Sequence, residues 1–433
     1  MSFFHPDSEK CNNNKDYSID HHDDDKDQQD EDDDFREDIY GWFIVCAAFM
    51  AQMTGLGIIS SVLQDHYEQH VFGANVHTAF YLSLVGALAN CVMNLMSVFA
   101  QILLSKFGIK GVMLVACILC TSGLELASLS TEIWHLLLTQ GVLFGSGCSI
   151  IFYVGMSTVP QWFKKREGIA LGIVSSGSCI GGLVMPFIIT PLNRSLGVSW
   201  CYRVLGLISL VIFVCACILF KDKTARQENK KIKDIVDLAV LKNRDLLVWC
   251  FADTLIEMGY YVPYFFLPSY GTFLGLSDSQ GSLLISTASA CNAIGRIITG
   301  HIGDKIGYMN TTIISCFIAG SSSLLLWSFA FDFGLLMAFA SIYGLTGGVF
   351  VSLGPSITKI VEKDRFDSGY SLFLILTMLA MFGPNLAAAV ESSVHSYSFL
   401  TYKLFTGMAY VVGTLVLLYL KIKLCHGNLF ARL

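Results

Sequence analysis

Charge is what this chain has least of. Asp, Glu, Lys and Arg make up 14% of its 433 residues, against about 25% in a soluble domain, which argues against a water-soluble globular protein. No phosphate-cradling glycine loop, zinc-binding His-Glu-x-x-His helix or Gly-x-Ser-x-Gly nucleophile elbow occurs in its polar segments. Their absence weakens the readings of an enzyme and of an ATP-driven pump, and no cofactor or nucleic-acid partner is expected. The N-terminus has neither the basic stretch nor the short apolar run of a signal peptide. Disulfide scaffolding is not expected either. The 14 cysteines fall almost wholly within apolar segments, where they read as small packing residues, Cys117-x-x-Cys120 included.

What the chain has instead is long apolar runs. Hydrophobic residues reach 54%, and a hydrocarbon core about 30 Å thick takes about 20 of them as helix. Twelve runs qualify: 40–62, 79–104, 111–129, 134–158, 168–190, 200–220, 246–270, 281–302, 310–330, 334–358, 368–390 and 400–420. Lipid offers the backbone no hydrogen bonds, so each is expected to be a helix. The expectation is an all-α membrane protein of twelve helices in two bundles of six, residues 40–220 and 246–422. A linker at 221–245 joins them, with apolar spacing at Ile232–Leu241 for a helix lying on the inner leaflet.

The remaining charge sets the orientation. Residues 1–39 hold 15 acidic and 4 basic residues, a solvated tail too polar to fold. His21, His22 and Asp23–Asp25 within it allow a metal-site alternative. Beyond the tail, 20 of 24 Lys and Arg fall on one side, which makes both termini cytoplasmic, the short tail 423–433 included. One faint internal repeat supports two halves: Lys106-Phe107-Gly108 after the second run and Lys305-Ile306-Gly307 after the eighth. Pro186, Pro263, Pro268, Pro355 and Pro384 lie within runs, where they shape gates or merely packing.

Few residues inside the runs can carry chemistry. Arg296 either snorkels or pairs with an acid, or its planar fork faces a pathway and holds a carboxylate. Asp253 and Glu257, four apart on one helix face, read as an exchangeable proton site or as partners in a structural ion pair; pairing is the expectation for Asp253. Asn90, Asn94, Asn292 and Asn385 read as ligand contacts or as glue between helices. Gly172, Gly177 and Gly181 permit close helix approach. Tyr260, Tyr261 and Tyr264 form an interfacial belt or a stacking wall.

The most telling segment runs Trp162-Phe163-Lys164-Lys165-Arg166-Glu167-Gly168-Ile169-Ala170-Leu171-Gly172, then Ser176-Gly177-Ser178 and Gly181. It resembles the major facilitator superfamily, and within it the fungal branch of the monocarboxylate-transporter family, with Glu167 at a usually basic position. Glu37-Asp38-Ile39-Tyr40-Gly41-Trp42 resembles the signature opening the first helix, and Ser61-Val62-Leu63-Gln64 with Tyr67 its end. Gly295-Arg296, Gly300, Asp304-Lys305 and Gly307 match the eighth helix and its loop; Gly383-Pro384 with Leu386-Ala387 resembles the eleventh.

The resemblance implies a secondary carrier working by alternating access. Arg296 stands where animal members have the arginine implicated in holding the substrate carboxylate. Two departures stop proton–lactate symport from carrying over: Asn292 stands where those members have an aspartate, and Ser60 near where they have a first-helix lysine linked to proton coupling. The expected cargo is a small organic anion such as a monocarboxylate, with riboflavin or a similar heterocycle as the alternative; a transporter-like nutrient sensor is the reading from another class. The expected contacts are Arg296, Asn292, Asn385 and Asn90, the proton site Glu257 or Asp253, and the inner gate Lys164, Lys165, Arg166, Asp304 and Lys305. The expected partners are a small-molecule substrate and a lipid bilayer. The expected location is a plasma membrane, or else a vacuolar one.

Overall fold

Hydropathy and helix-stop chemistry shape the architecture. In the computed structural model, residues 39–59, 76–223, 237–360, 365–394, 399–426, 428 and 431–432 are described, side chains excepted at 59, 76–83 and 238. The acidic tail, Ser61–Tyr67 and most of the expected linker helix lie outside the described residues.

All regular structure among the described residues is helical. The chain runs α1 (Ile39–Ile59), α2 (Val76–Leu95), α3 (Ser97–Ala127), α4 (Ile133–Gln161), α5 (Glu167–Leu196) and α6 (Val198–Leu219). It continues through α7 (Arg244–Phe273), α8 (Asp278–Ile306), α9 (Tyr308–Trp327), α10 (Phe333–Thr358), α11 (Phe366–Val394) and α12 (Leu400–Leu424). Ten of these, all but α2 and α7, are long and apolar enough to cross a membrane. Large apolar side chains such as Phe187, Ile218 and Phe329 stand outward, each well over half exposed, a surface suited to lipid rather than water. This is a multi-pass, all-α membrane protein.

Local signals fix the helix boundaries. Asn243 caps α7 by accepting from the N–H groups of Asp245 and Leu246. Ser277 and Gln280 form a reciprocal capping box at α8, and Asp332 caps α10. The faint repeat has a backbone counterpart. Gly108, with φ 65°, breaks α3, and Gly307, with φ 96°, separates α8 from α9. Both conformations suit glycine alone among common residues. Two helices contain π-helical turns, Leu137–Phe144 within α4 and Ser323–Trp327 within α9.

Packing centres on α5, which lies between α1 and α8. A Cβ at Gly177 or Gly181 would fall 2.5 Å from Phe49 O or 2.1 Å from Met53 O, so α1 and α5 meet backbone to backbone. On the opposite face, a Cβ at Gly172 would lie 2.3 Å from Arg296 O, and one at Gly300 2.1 Å from Gly168 O. Farther along α5, Gly182 has nothing within 4 Å. The two helices therefore touch at the Asp304 end and part toward the other, and a cavity occupies the space between them.

Candidate functional site

The cavity measures about 280 Å³. Its wall combines α2 (Asn90, Asn94), α5 (Ser178, Cys179), α7 (Asp253, Glu257, Tyr260, Tyr261, Tyr264), α8 (Arg296), α10 (Phe350) and α11 (Tyr370, Phe373). Residues before and after the linker thus share one site.

Arg296 is its organising group, 5% exposed. Nε donates to Asn292 Oδ1 at 2.8 Å, and Nη1 donates to Ser175 O at 2.7 Å and Ser178 Oγ at 3.0 Å. The first bond is one turn along α8; the others cross to α5. Asn292 in turn donates through Nδ2 to the hydroxyls of Tyr260 at 2.8 Å and Tyr264 at 2.9 Å. Gly348 makes room for that amide, since a Cβ there would lie 2.5 Å from Asn292 Oδ1. The guanidinium is thus held rigidly by neutral acceptors. Among the described residues it forms no ion pair.

Asp253 is 1% exposed, and neither carboxylate oxygen has a hydrogen-bond partner. Among the described residues the expected pairing with Arg296 or another base is absent, and Arg296 bonds to Asn292 and α5 instead. Glu257 accepts from the Tyr261 hydroxyl at 3.0 Å. Asn90 lines the cavity while its Nδ2 back-bonds to Gly86 O. Asn94, not counted among the expected contacts, lies in the same wall and is 5% exposed. Asn385 does not join them; it is exposed and outside the cavity lining. Its neighbour Gly383, not Asn385, faces inward, packed on the Met258 backbone.

The Asp304 end is closed by contacts between distant parts of the chain. Asp304 accepts from the N–H groups of Gly168 at 2.7 Å and Ile169 at 2.9 Å, so a carboxylate on α8 caps the positive start of α5. Glu167 accepts from Ser356 Oγ at 2.6 Å and pairs with Lys359 at 2.5 Å. Gln101 donates to Ser368 Oγ at 3.2 Å and accepts from Ser371 Oγ at 2.8 Å, tying α3 to α11. Of the expected gate residues, Asp304 joins α8 to the start of α5, while Lys164, Lys165, Arg166 and Lys305 are exposed. Glu167 and Lys359 were not anticipated as a pair. The one signal for them was the acid at a usually basic position.

Glu167 is buried and Lys359 is 42% exposed, so the two contribute unequally. Lys359→Met is expected to loosen the closure only about twofold, as for a screened pair. Glu167→Ala, which also strands the Ser356 hydroxyl, should loosen it about tenfold. Labelling of Cys179, as the single cysteine, from the Asp304 side of sealed vesicles measures both. The E167K/K359E exchange should recover most of the loss.

Comparison with known proteins agrees with this architecture. An MFS-type transporter of Gibberella moniliformis is 25% identical over 394 residues, covering 90% of this chain and 92% of that one. The agnestins efflux protein AgnL12 of Paecilomyces divaricatus is 25% identical, with 89% and 88% covered. The probable transporter MCH2 of Saccharomyces cerevisiae is also 25% identical, with 86% and 80% covered. Among solved structures, the human organic anion transporter MFSD10 superposes with TM-score 0.69 at 14% identity, over 87% of this chain and 99% of that one. FucP in its outward conformation gives TM-score 0.69 at 12% identity, over 89% and 99%. These likenesses extend to the fold. The match to the Major Facilitator Superfamily itself spans residues 42–421, and the chain belongs to that family of secondary transporters, which move small molecules across a bilayer by alternating access and are not enzymes.

Proposed function

We propose that this transporter carries a small organic anion of the monocarboxylate type, with Arg296 as the principal ligand contact. The observation that carries this reading is a buried guanidinium, held rigid by neutral acceptors and paired to no carboxylate among the described residues, in a cavity walled by both parts of the chain. A substrate carboxylate is the partner such a fork lacks. Asn292 orients it, and Asn90 faces the ligand from α2. In this reading residues 40–220 and 246–422 are two six-helix halves joined by a cytoplasmic linker, both termini are cytoplasmic, and the Asp304 end faces the cytoplasm. The parting of α5 and α8 beyond Gly182 then corresponds to a state open to the outside of a plasma membrane.

The aromatic wall favours a second reading, a ring-bearing or heterocyclic cargo such as riboflavin. Tyr260 and Tyr264 stand 5.1 Å apart, with Phe350 edge-on to Tyr260 at 5.2 Å, surfaces on which a ring can stack. Uptake of radiolabelled lactate, pyruvate and riboflavin by transporter-deleted yeast expressing this protein separates the two. Carboxylate uptake is the expected result; riboflavin uptake alone replaces the first reading with the second.

A further inference from the structure

We propose that Cys179 is a covalent capture site for α,β-unsaturated carboxylates, which Arg296 docks and activates for addition of the thiol. The proposal rests on the anion reading of the same cavity. Among the described residues lining that cavity, Cys179 is the only cysteine, and no lysine or histidine accompanies it. It is therefore the one strong nucleophile that a cargo meets there, and it is half-buried rather than sealed in.

One oxygen joins the thiol to the guanidinium. Asn292 Oδ1 accepts from Cys179 Sγ at 3.5 Å and from Arg296 Nε at 2.8 Å. Two contacts that share an atom keep Sγ within about 6 Å of Nε. Cys179 also faces Tyr260 and Tyr264, whose hydroxyls Asn292 holds. Two further observations point to a ligand at this place. Arg296, 5% exposed, is paired to no carboxylate among the described residues. Asp253, 1% exposed, lines the same cavity with neither carboxylate oxygen bonded.

The span suits the reaction. A carboxylate seated on the guanidinium has its oxygens about 2.8 Å from nitrogen. The β-carbon of an α,β-unsaturated acid lies about 3.5 Å beyond those oxygens by ordinary bond lengths. That reach brings it to Sγ. In water an ionised unsaturated acid is a sluggish acceptor for a thiol, because negative charge builds on a group already negative. Arg296 offsets that charge at the oxygens where it grows, and a shared site removes the cost of bringing acid and thiol together. An uncharged electrophile gains nothing from Arg296.

In the addition Sγ bonds to the β-carbon, the C=C π bond and the S–H bond break, and the proton ends on the α-carbon, carried by solvent. The product is a thioether that keeps its carboxylate, with no oxidant and no leaving group. Tethered to α5 and paired with Arg296 on α8, it fills the cavity and stops transport. Uptake of such acids is then self-limiting, whereas saturated acids pass.

The test compares acrylate with acrylamide, its uncharged counterpart of the same size, on the full-length protein in lipid nanodiscs. Adducts at Cys179 are mapped by peptide mass spectrometry, and free glutathione, toward which acrylamide is the faster reagent, sets the reference order. At Cys179 the order should invert, with acrylate faster by at least about tenfold, and propionate should slow acrylate alone. R296Q should restore the glutathione order, R296K should keep part of the inversion, and iodoacetamide should label Cys179 alike in all three proteins. Acrylamide faster than acrylate at wild-type Cys179, R296Q as selective as wild type, or no acrylate adduct at Cys179 overturns the inference. Calorimetry with propionate and pyruvate tells that failure from a failure of the anion reading. Binding that R296Q abolishes leaves the reading standing, while no binding together with no inversion ends both. An inversion supports the capture site whatever the calorimetry shows.

Discussion

Arg296→Ala is expected to cut anion uptake at least about 30-fold at unchanged surface expression. Losing the charged partner of a desolvated pair costs about 2–5 kcal/mol, and 1.4 kcal/mol is a factor of about ten. Arg296→Lys should recover only a small part, because an ammonium keeps the charge but loses the planar fork. The arginine also ties α8 to α5 through Ser175 O and Ser178 Oγ, so a purely structural role must be separated from ligand binding. Ser178→Ala does this: it removes one strand of the tie and leaves the guanidinium in place. If Ser178→Ala matches Arg296→Ala in uptake, or if both Arg296 variants transport normally, the anion contact is wrong.

Gly172→Val should produce the second large effect, a transporter that folds but rarely closes at the Asp304 end. A Cβ at this position lies 2.3 Å from Arg296 O, and the obstacle is backbone, which cannot step aside as a flexible side chain can. Overpacking of this kind costs about 1–3 kcal/mol, a shift of about 5- to 140-fold in the closed-to-open ratio. Only the closed state pays it, since the contact ends when α5 and α8 part. Cys179, alone on a cysteine-free background, should become reactive to an impermeant thiol reagent from the Asp304 side, while net uptake falls. Gly182→Val, where nothing lies within 4 Å, is the control expected to leave accessibility unchanged.

The helices were legible because hydropathy acts locally. The expected runs 134–158 and 334–358 meet α4 (Ile133–Gln161) and α10 (Phe333–Thr358) within about one turn. Gly108 and Gly307 announced their breaks for the same reason. The site was legible only in part. Arg296, Asn292, Asp253 and Glu257 stood out because polar groups are costly at membrane depth, and all four line or support the cavity. Which face a residue presents is a tertiary matter, so Asn385 was expected inside and lies outside, while Asn94 had the weaker claim and lies within. The closure was largely hidden. Asp304 reaches N–H groups 135 and 136 residues away, and Lys359 reaches an acid 192 residues away. No local pattern encodes such distances.

The π-helical turns bear on how this chain should be compared with its relatives. A turn closed by a bond to the fifth residue holds one residue more than an α-turn, so the direction of every later side chain slips by about 100°. Across Leu137–Phe144 in α4, a column-by-column alignment to a relative with a regular helix would pair residues that point to different neighbours. Against such a relative, a gap of one position inside that stretch restores the spatial match for the rest of α4, from Gly145 onward.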